Sequence, residues 1–458
     1  MTQLRKAVGL PTVIATSAGL ALATVSLTAD VQIGLGLPGA SGWMAVLAAG
    51  LISVLAGWCF AELVGMFPTA AGIKLFIEKA FGEKAALICA TLYVGISVLI
   101  VGSESYVLAS VMHYAFPAVD QIWWVFGFLT VMALVNLRGI AITGIAQDVT
   151  TYVMVLLIVA ISAWALLRPG APAVPNLFEL GSGFQTAQAI ALGVFLYLGF
   201  EWVTPLAEEV TDFRLIPKGM LWSLAILALV YGVLHIGMMT MVPKAQLAGS
   251  AIPHMLFGEA ALGRVGLVAM AGVSALASIT SFNAGLLTAS RFLYAMARDW
   301  AAPRFLTRLH PDWATPWAAI LTLYALCTAM AAVVLYTGAF KLFIFLGAAI
   351  ECMIFVAMAL SVLRLRKTMP NMVRDFKVPG GTLVPWVVAV LYTFLFVLIF
   401  VPDPNNAADQ GAQVGALITL LVSAVVIAAY VQWLVPLLRK RAQPPAGQRR
   451  RRRPGVEG

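Results

Sequence analysis

Five ionisable residues, Asp30, Glu104, Glu201, Arg291 and Glu351, each interrupt a long apolar run. An ionisable group at the centre of a bilayer costs about 3 kcal/mol or more, so such residues mark solute pathways and proton relays. A carboxyl group in a low-dielectric medium can exchange a proton near neutral pH. Glu104 and Glu201 are therefore the first candidates for coupling, with Asp30 and Glu351 beside them. Glu62 falls closer to the end of its apolar run, where a structural hydrogen-bonding role fits better. Covalent chemistry has no matching set. His113, His235, His254 and His310 are scattered, and Cys59, Cys89, Cys327 and Cys352 all lie in apolar segments without a CxxC pair. Those thiols read as small packing residues. No catalytic residue, metal site, disulfide framework or cofactor is expected.

The elements that position these residues are membrane helices. Of 458 residues, 61% are hydrophobic and 11% charged, against about a quarter charged in a soluble domain. Apolar stretches of roughly 20 residues, the length needed to span, predict twelve spans. They fall at 12–34, 43–66, 86–115, 122–140, 145–167, 187–207, 219–242, 265–297, 316–337, 340–364, 384–402 and 412–437. The first apolar run continues to about Ile33, so it reads as a first span rather than a cleaved signal. With the N-terminus inside, inner segments hold 24 basic residues and outer segments 4. That asymmetry predicts both termini in the cytoplasm and an inner-membrane location. The net charge of +9 then needs no nucleic acid. The basic tail, 438–458, sets topology and can touch anionic lipid. A short amphipathic helix is expected over 72–84 on the inner face, and a loop over 169–185.

The sixth span, ALGVFLYLGFEWVTPLAEEV, carries the most information. Gly199 lacks a Cβ and Pro205 lacks an N–H, with Glu201 between them. This is the pattern of a broken helix, tolerated at membrane depth where it lines a cavity. Half-helix ends then offer N–H groups to a carboxylate. In the first span, Thr16-Ser17-Ala18-Gly19-Leu20 permits close backbone approach or a break. Interrupted segments in corresponding positions of two halves point to a transport site.

Five stretches then resemble one family. They are Ala61-Glu62-Leu63 with Pro68 to Gly72; Asn136-Leu137-Arg138-Gly139 with Gln147; and Gly199-Phe200-Glu201 with Ala207-Glu208-Glu209 and Ile216-Pro217. The others are Ser290-Arg291 through Thr315-Pro316, and Arg374, Phe376 and Pro379. In this order the chain resembles the amino acid–polyamine–organocation transporters. The resemblance implies an all-α membrane protein of LeuT type with two inverted five-helix repeats, 1–168 and 187–364. Helices 1 and 6 are broken, and two further helices follow over 384–437.

By resemblance, Ser17, Ala18, Gly19 and Leu20 match the helix 1 segment that holds a substrate carboxylate. Phe195, Leu198 and Gly199 match positions lining the site, and Glu201 the family's helix 6 acid. Trp202 would add cation–π attraction if it faced the site. The chain departs from the family where Ser17 replaces a usual glycine and Lys74 a usual aromatic. Met154 stands where some proton-coupled members have lysine, so coupling would run through another group or give way to exchange. The implied activity is secondary transport of a small molecule by alternating access. The passenger is an amino acid or, given the excess of acids in the spans, an amine or polyamine. Thr280 and Ser281 are the hydroxyl pair a sodium-coupled alternative would use. A non-transporting sensor is the remaining class. Oligomeric state has no sequence signal.

Overall fold

A computed structural model of the chain describes residues 6–401 and 407–442; the basic tail from 443 on, with Arg449 to Arg453, lies outside them. The described chain is helical, its one β-bridge joining Val8 to Val210. Among the described residues, nine helices are long and apolar enough to cross a membrane alone. The pair α1 (Leu10–Ala21) and α2 (Thr24–Leu35), bent by 56° at the break between them, passes the same test of length and composition when taken together. Two shorter apolar helices, α6 (Gln121–Leu137) and α14 (Leu383–Ile399), measure about 25 Å each at 1.5 Å per residue.

The remaining helices are α3 (Gly42–Met66), α4 (Gly72–Phe81), α5 (Glu83–Ala115), α7 (Ile140–Leu167), α8 (Gly183–Phe195) and α9 (Leu215–Met241). After the short α10 (Lys244–Ala248) come α11 (Pro253–Arg298), α12 (Trp317–Thr337), α13 (Phe340–Thr368), α15 (Ala407–Ala429) and α16 (Val435–Ala442). The helix α11 is too long for one crossing, about 69 Å. Gly263, at φ +59°, breaks it and sets a short outer piece apart from the span expected at 265–297.

The first helix sits innermost. Α1 packs against α7, α9 and α11, while α13 joins α5 to α14. Leu134, Ile145, Leu156, Val390, Phe394 and Val425 expose half or more of their surface on outer helices. An apolar belt of this kind suits lipid rather than water.

Both expected breaks exist, with different geometry from the expectation. Helix 1 breaks at Leu22–Ala23, not within Thr16 to Leu20. Ser17, Ala18, Gly19 and Leu20 are fully helical and buried in the last turns of α1. The physical reason is side-chain partners. Gln147 Nε2 donates to the Ala15 carbonyl at 3.1 Å, and a Cβ on Gly19 would meet that amide at 2.0 Å. Gly19 thus gives room to a neighbouring helix rather than to a passenger. In helix 6, α8 ends at Phe195 and turns through Leu196 to Gly199, which is left-handed at φ +103°. The chain then runs as a 3₁₀ helix over Phe200–Glu208 around Pro205. Its backbone still bonds to itself through tight turns, such as Trp202 N–H to the Gly199 carbonyl at 3.0 Å. It does not unwind into free groups.

Candidate functional site

The two breaks meet. The Leu20 side chain lies against Gly199, where a Cβ would come within 2.9 Å of its Cδ2. Ser17 Oγ donates to the Phe200 carbonyl and lies 2.7 Å from Ser223 Oγ. The Ser17 hydroxyl therefore braces helix 6 and is already used. A buried amide chain holds α1 from the other side. Asn136 donates to Asn283 Oδ1 at 2.8 Å, and Asn283 donates to Gln147 Oε1 at 2.7 Å.

Beside this junction lies a narrow cavity of about 10 Å³, room for little more than one water molecule. Val25 of α2, Ile96, Ile100 and Ser103 of α5, Phe195 and Leu198 of helix 6, and Phe343, Ile344, Gly347 and Glu351 of α13 line it. Its mostly apolar wall with few polar groups is usual for ligand sites, while its volume is far below theirs, so a passenger needs the helices around it to move apart. Of the residues predicted from sequence, Phe195, Leu198 and Glu351 reach this cavity. Gly199 shapes the turn behind it. Trp202 stacks on Tyr93 with centroids 4.2 Å apart, fully buried and away from the lining. Ile96, Ile100 and Ser103 of α5 and Phe343, Ile344 and Gly347 of α13 were not named from the sequence. Ile96 and Ile100, or Gly347 and Glu351, stand four residues apart and so share a helix face. The glutamate was the one visible signal in that pattern.

The acids separate into distinct environments. Glu351 is 1% exposed and Glu201 fully buried, and among the described residues no cation pairs with either carboxylate; the Trp202 indole N–H lies near Glu351 and the Gly199 and Glu201 N–H groups near Glu201. Each has the other among its polar neighbours. Two carboxyl groups placed together can be satisfied by sharing one proton. Asp30 instead lies 3.4 Å from His235 Nδ1, fully buried and away from the cavity. Glu104 accepts from the Thr24 and Val25 N–H groups, each at 2.8 Å, and from Ser278 Oγ at 2.5 Å. It caps α2, whose own N-cap, Ala23, has no side-chain acceptor.

A second belt of charge closes the end where α3, α11 and α13 finish. Glu62 accepts from Arg366 at 2.9 and 2.5 Å, from Arg374 at 3.2 Å and from the Val378 N–H at 2.8 Å. Arg291 pairs with Glu209 at 3.0 Å, fully buried, and Arg298 with Glu208 at 3.0 Å. Lys74 on α4 bonds Asp299 at 2.8 Å and Glu78 at 2.9 Å. Burial alone would lower the Lys74 pKa, but the two carboxylates outweigh it and hold the ammonium above its usual range.

Glu62, Glu208, Glu209, Arg291, Arg298 and Arg374 of this belt and Gly199 to Glu201 of the helix 6 turn are among the residues that carried the sequence resemblance. The chain matches the amino acid permease family over residues 8–429. It belongs to that family. The permease is 25% identical to the branched-chain amino acid permease BcaP of Bacillus subtilis (strain 168) over 377 residues, 76% of its own chain and 78% of that protein. It is 25% identical over 378 residues to the human large neutral amino acids transporter small subunit 2, covering 78% and 68% of the two chains. The human Asc-type amino acid transporter 1 is similar at 25% over 376 residues, 78% and 70% of the chains. The permease thus belongs among membrane transporters. Thr280 Oγ donates to the Ala277 carbonyl at 2.9 Å and so is used within its own helix, while Ser281 Oγ is buried without a partner.

Proposed function

We propose that this permease is a secondary transporter, not an enzyme. It moves small amino compounds with apolar bodies, among them amino acids with apolar side chains, by alternating access. The observation that carries this is the cavity walled by both broken helices and by α5 and α13. Its aliphatic and aromatic lining suits an apolar side chain, in keeping with the names of the branched-chain and large neutral relatives. Twelve spans would result if α6 and α14 cross and α1 with α2 count as one. The breaks in spans 1 and 6 then occupy equivalent places in two inverted repeats of five, 1–168 and 187–364, followed by helices over 384–437. The excess of Lys and Arg on the belt side and in the tail favours cytoplasmic termini in an inner membrane.

Coupling runs through the Glu201–Glu351 pair, which takes up a proton as the cavity changes sides. The paired belt of Glu62, Glu208 and Glu209 holds the opposite end closed. Leucine uptake into proteoliposomes under an imposed pH gradient tests both parts. Wild-type protein is expected to accumulate leucine when the gradient is applied. Glu351→Gln is expected to exchange leucine but lose gradient-driven accumulation. Unchanged accumulation in both Glu351→Gln and Glu201→Gln would remove the coupling assignment. Absence of uptake for every proteinogenic amino acid would remove the transport reading for them.

A further inference from the structure

The start of α2 is a place for an anion, and it is already filled. The first N–H groups of a helix have no partner within it and favour a carboxylate. In α2, a helix of 12 residues, those of Thr24 and Val25 each hold one oxygen of Glu104. Ser278 adds a third hydrogen bond. Val25 and Ser103, the neighbour of Glu104, also line the cavity, so the filled seat adjoins the passenger's space.

The second observation is what the cavity offers instead. Its one ionisable lining residue is Glu351, buried and paired with no cation among the described residues, with Glu201 nearby. The walls thus provide an acid for an ammonium group and no vacant helix terminus for a carboxylate. An amino acid entering here must displace Glu104 from three hydrogen bonds. Otherwise it leaves its own carboxylate in an apolar space beside two acids. An amine with the same side chain and no carboxylate meets neither cost.

We propose that Glu104 is a resident stand-in for a substrate carboxylate, so that the site takes an apolar amine in preference to the amino acid bearing the same side chain. This rests on the transport reading above and narrows its substrate class. Leucine and isopentylamine form a matched pair that differs by the carboxylate alone. Binding to the purified full chain in detergent is the right readout, because a neutral amine diffuses through lipid. Wild-type protein is expected to bind isopentylamine at least about tenfold more tightly than leucine, a difference of ~1.4 kcal/mol. Glu104→Ala empties the seat and is expected to reduce or reverse that ratio. Glu104→Gln, which keeps the shape and removes the charge, is expected to fall between and serves if the alanine variant does not fold. Leucine binding with no competition from isopentylamine would overturn the inference and leave the transport reading standing. So would an identical ratio in wild type and every folded Glu104 variant. If neither compound binds and no amino acid is taken up, the transport reading fails and this inference with it.

Discussion

The acids at the two depths of this permease have opposite company. At the belt, Glu62, Glu208 and Glu209 each face arginine at 2.5–3.2 Å. At mid-depth, Glu201 and Glu351 face each other, Glu351 also lines an apolar cavity, and Glu104 faces a helix end. An ion pair stores its stabilisation in a fixed geometry, so a paired belt suits a closed end. A carboxyl group without a cation is free to change its proton or accept an ammonium. The lesson is that the same residue type closes the molecule in one layer and remains available for work in another.

The largest expected break of this contrast is at Arg291. Removing one partner of a buried pair costs about 3–5 kcal/mol, because the other charge is left uncompensated. Arg291→Met should therefore lower the melting temperature sharply, while Arg291→Met with Glu209→Met should recover much of the loss. A double variant as unstable as the single one would show that the pair is not acting as a unit. Next comes Glu62, which gathers two arginines and a backbone N–H. Hydrogen bonds to a charged group contribute about 1.5–3 kcal/mol each. Glu62→Gln should open the belt, seen as faster modification of a cysteine placed on the 369–378 loop.

Gly199→Ala tests the turn itself. A left-handed alanine costs about 1–2 kcal/mol, and its Cβ would press on Leu20. Leucine uptake should fall along with stability, whereas Gly95→Ala, whose Cβ meets nothing within 4 Å, should change neither. The smallest effect is expected at Arg298, whose pair with Glu208 is 42% and 25% exposed. Arg298→Ala should cost no more than about 1 kcal/mol and less in high salt. Glu351→Gln completes the comparison from the other layer. Its carboxylate is held by no cation, so the melting temperature should move little while proton-driven uptake disappears.

Much of the architecture was legible in the chain. Apolar length marks the membrane helices, and Gly199 with Pro205 locates the interruption of helix 6. Phe195, Leu198 and Glu351, named in advance, line the cavity beside that interruption. The helix 1 break was misplaced because its cause is remote in sequence. Ala23 has no capping side chain, and the cap comes from Glu104, 80 positions away from Thr24. Ser17 and Gly19 were candidates for a passenger's contacts, but Phe200, Ser223 and Gln147 occupy them. Small residues look alike in sequence whether they admit a ligand or a neighbouring helix.

The order of residues by itself determined that this protein is a bundle of apolar helices with acids set at membrane depth. Hydrophobic length and the cost of a buried charge are local properties, readable one segment at a time. Which acid would be paired, which would cap a helix and which would be left facing a cavity was decided only in three dimensions. Those fates depend on partners 80 to more than 300 positions away, such as Thr24 for Glu104 and Arg366 for Glu62. An electrostatic environment belongs to the neighbours that folding assembles, and a single segment does not contain them.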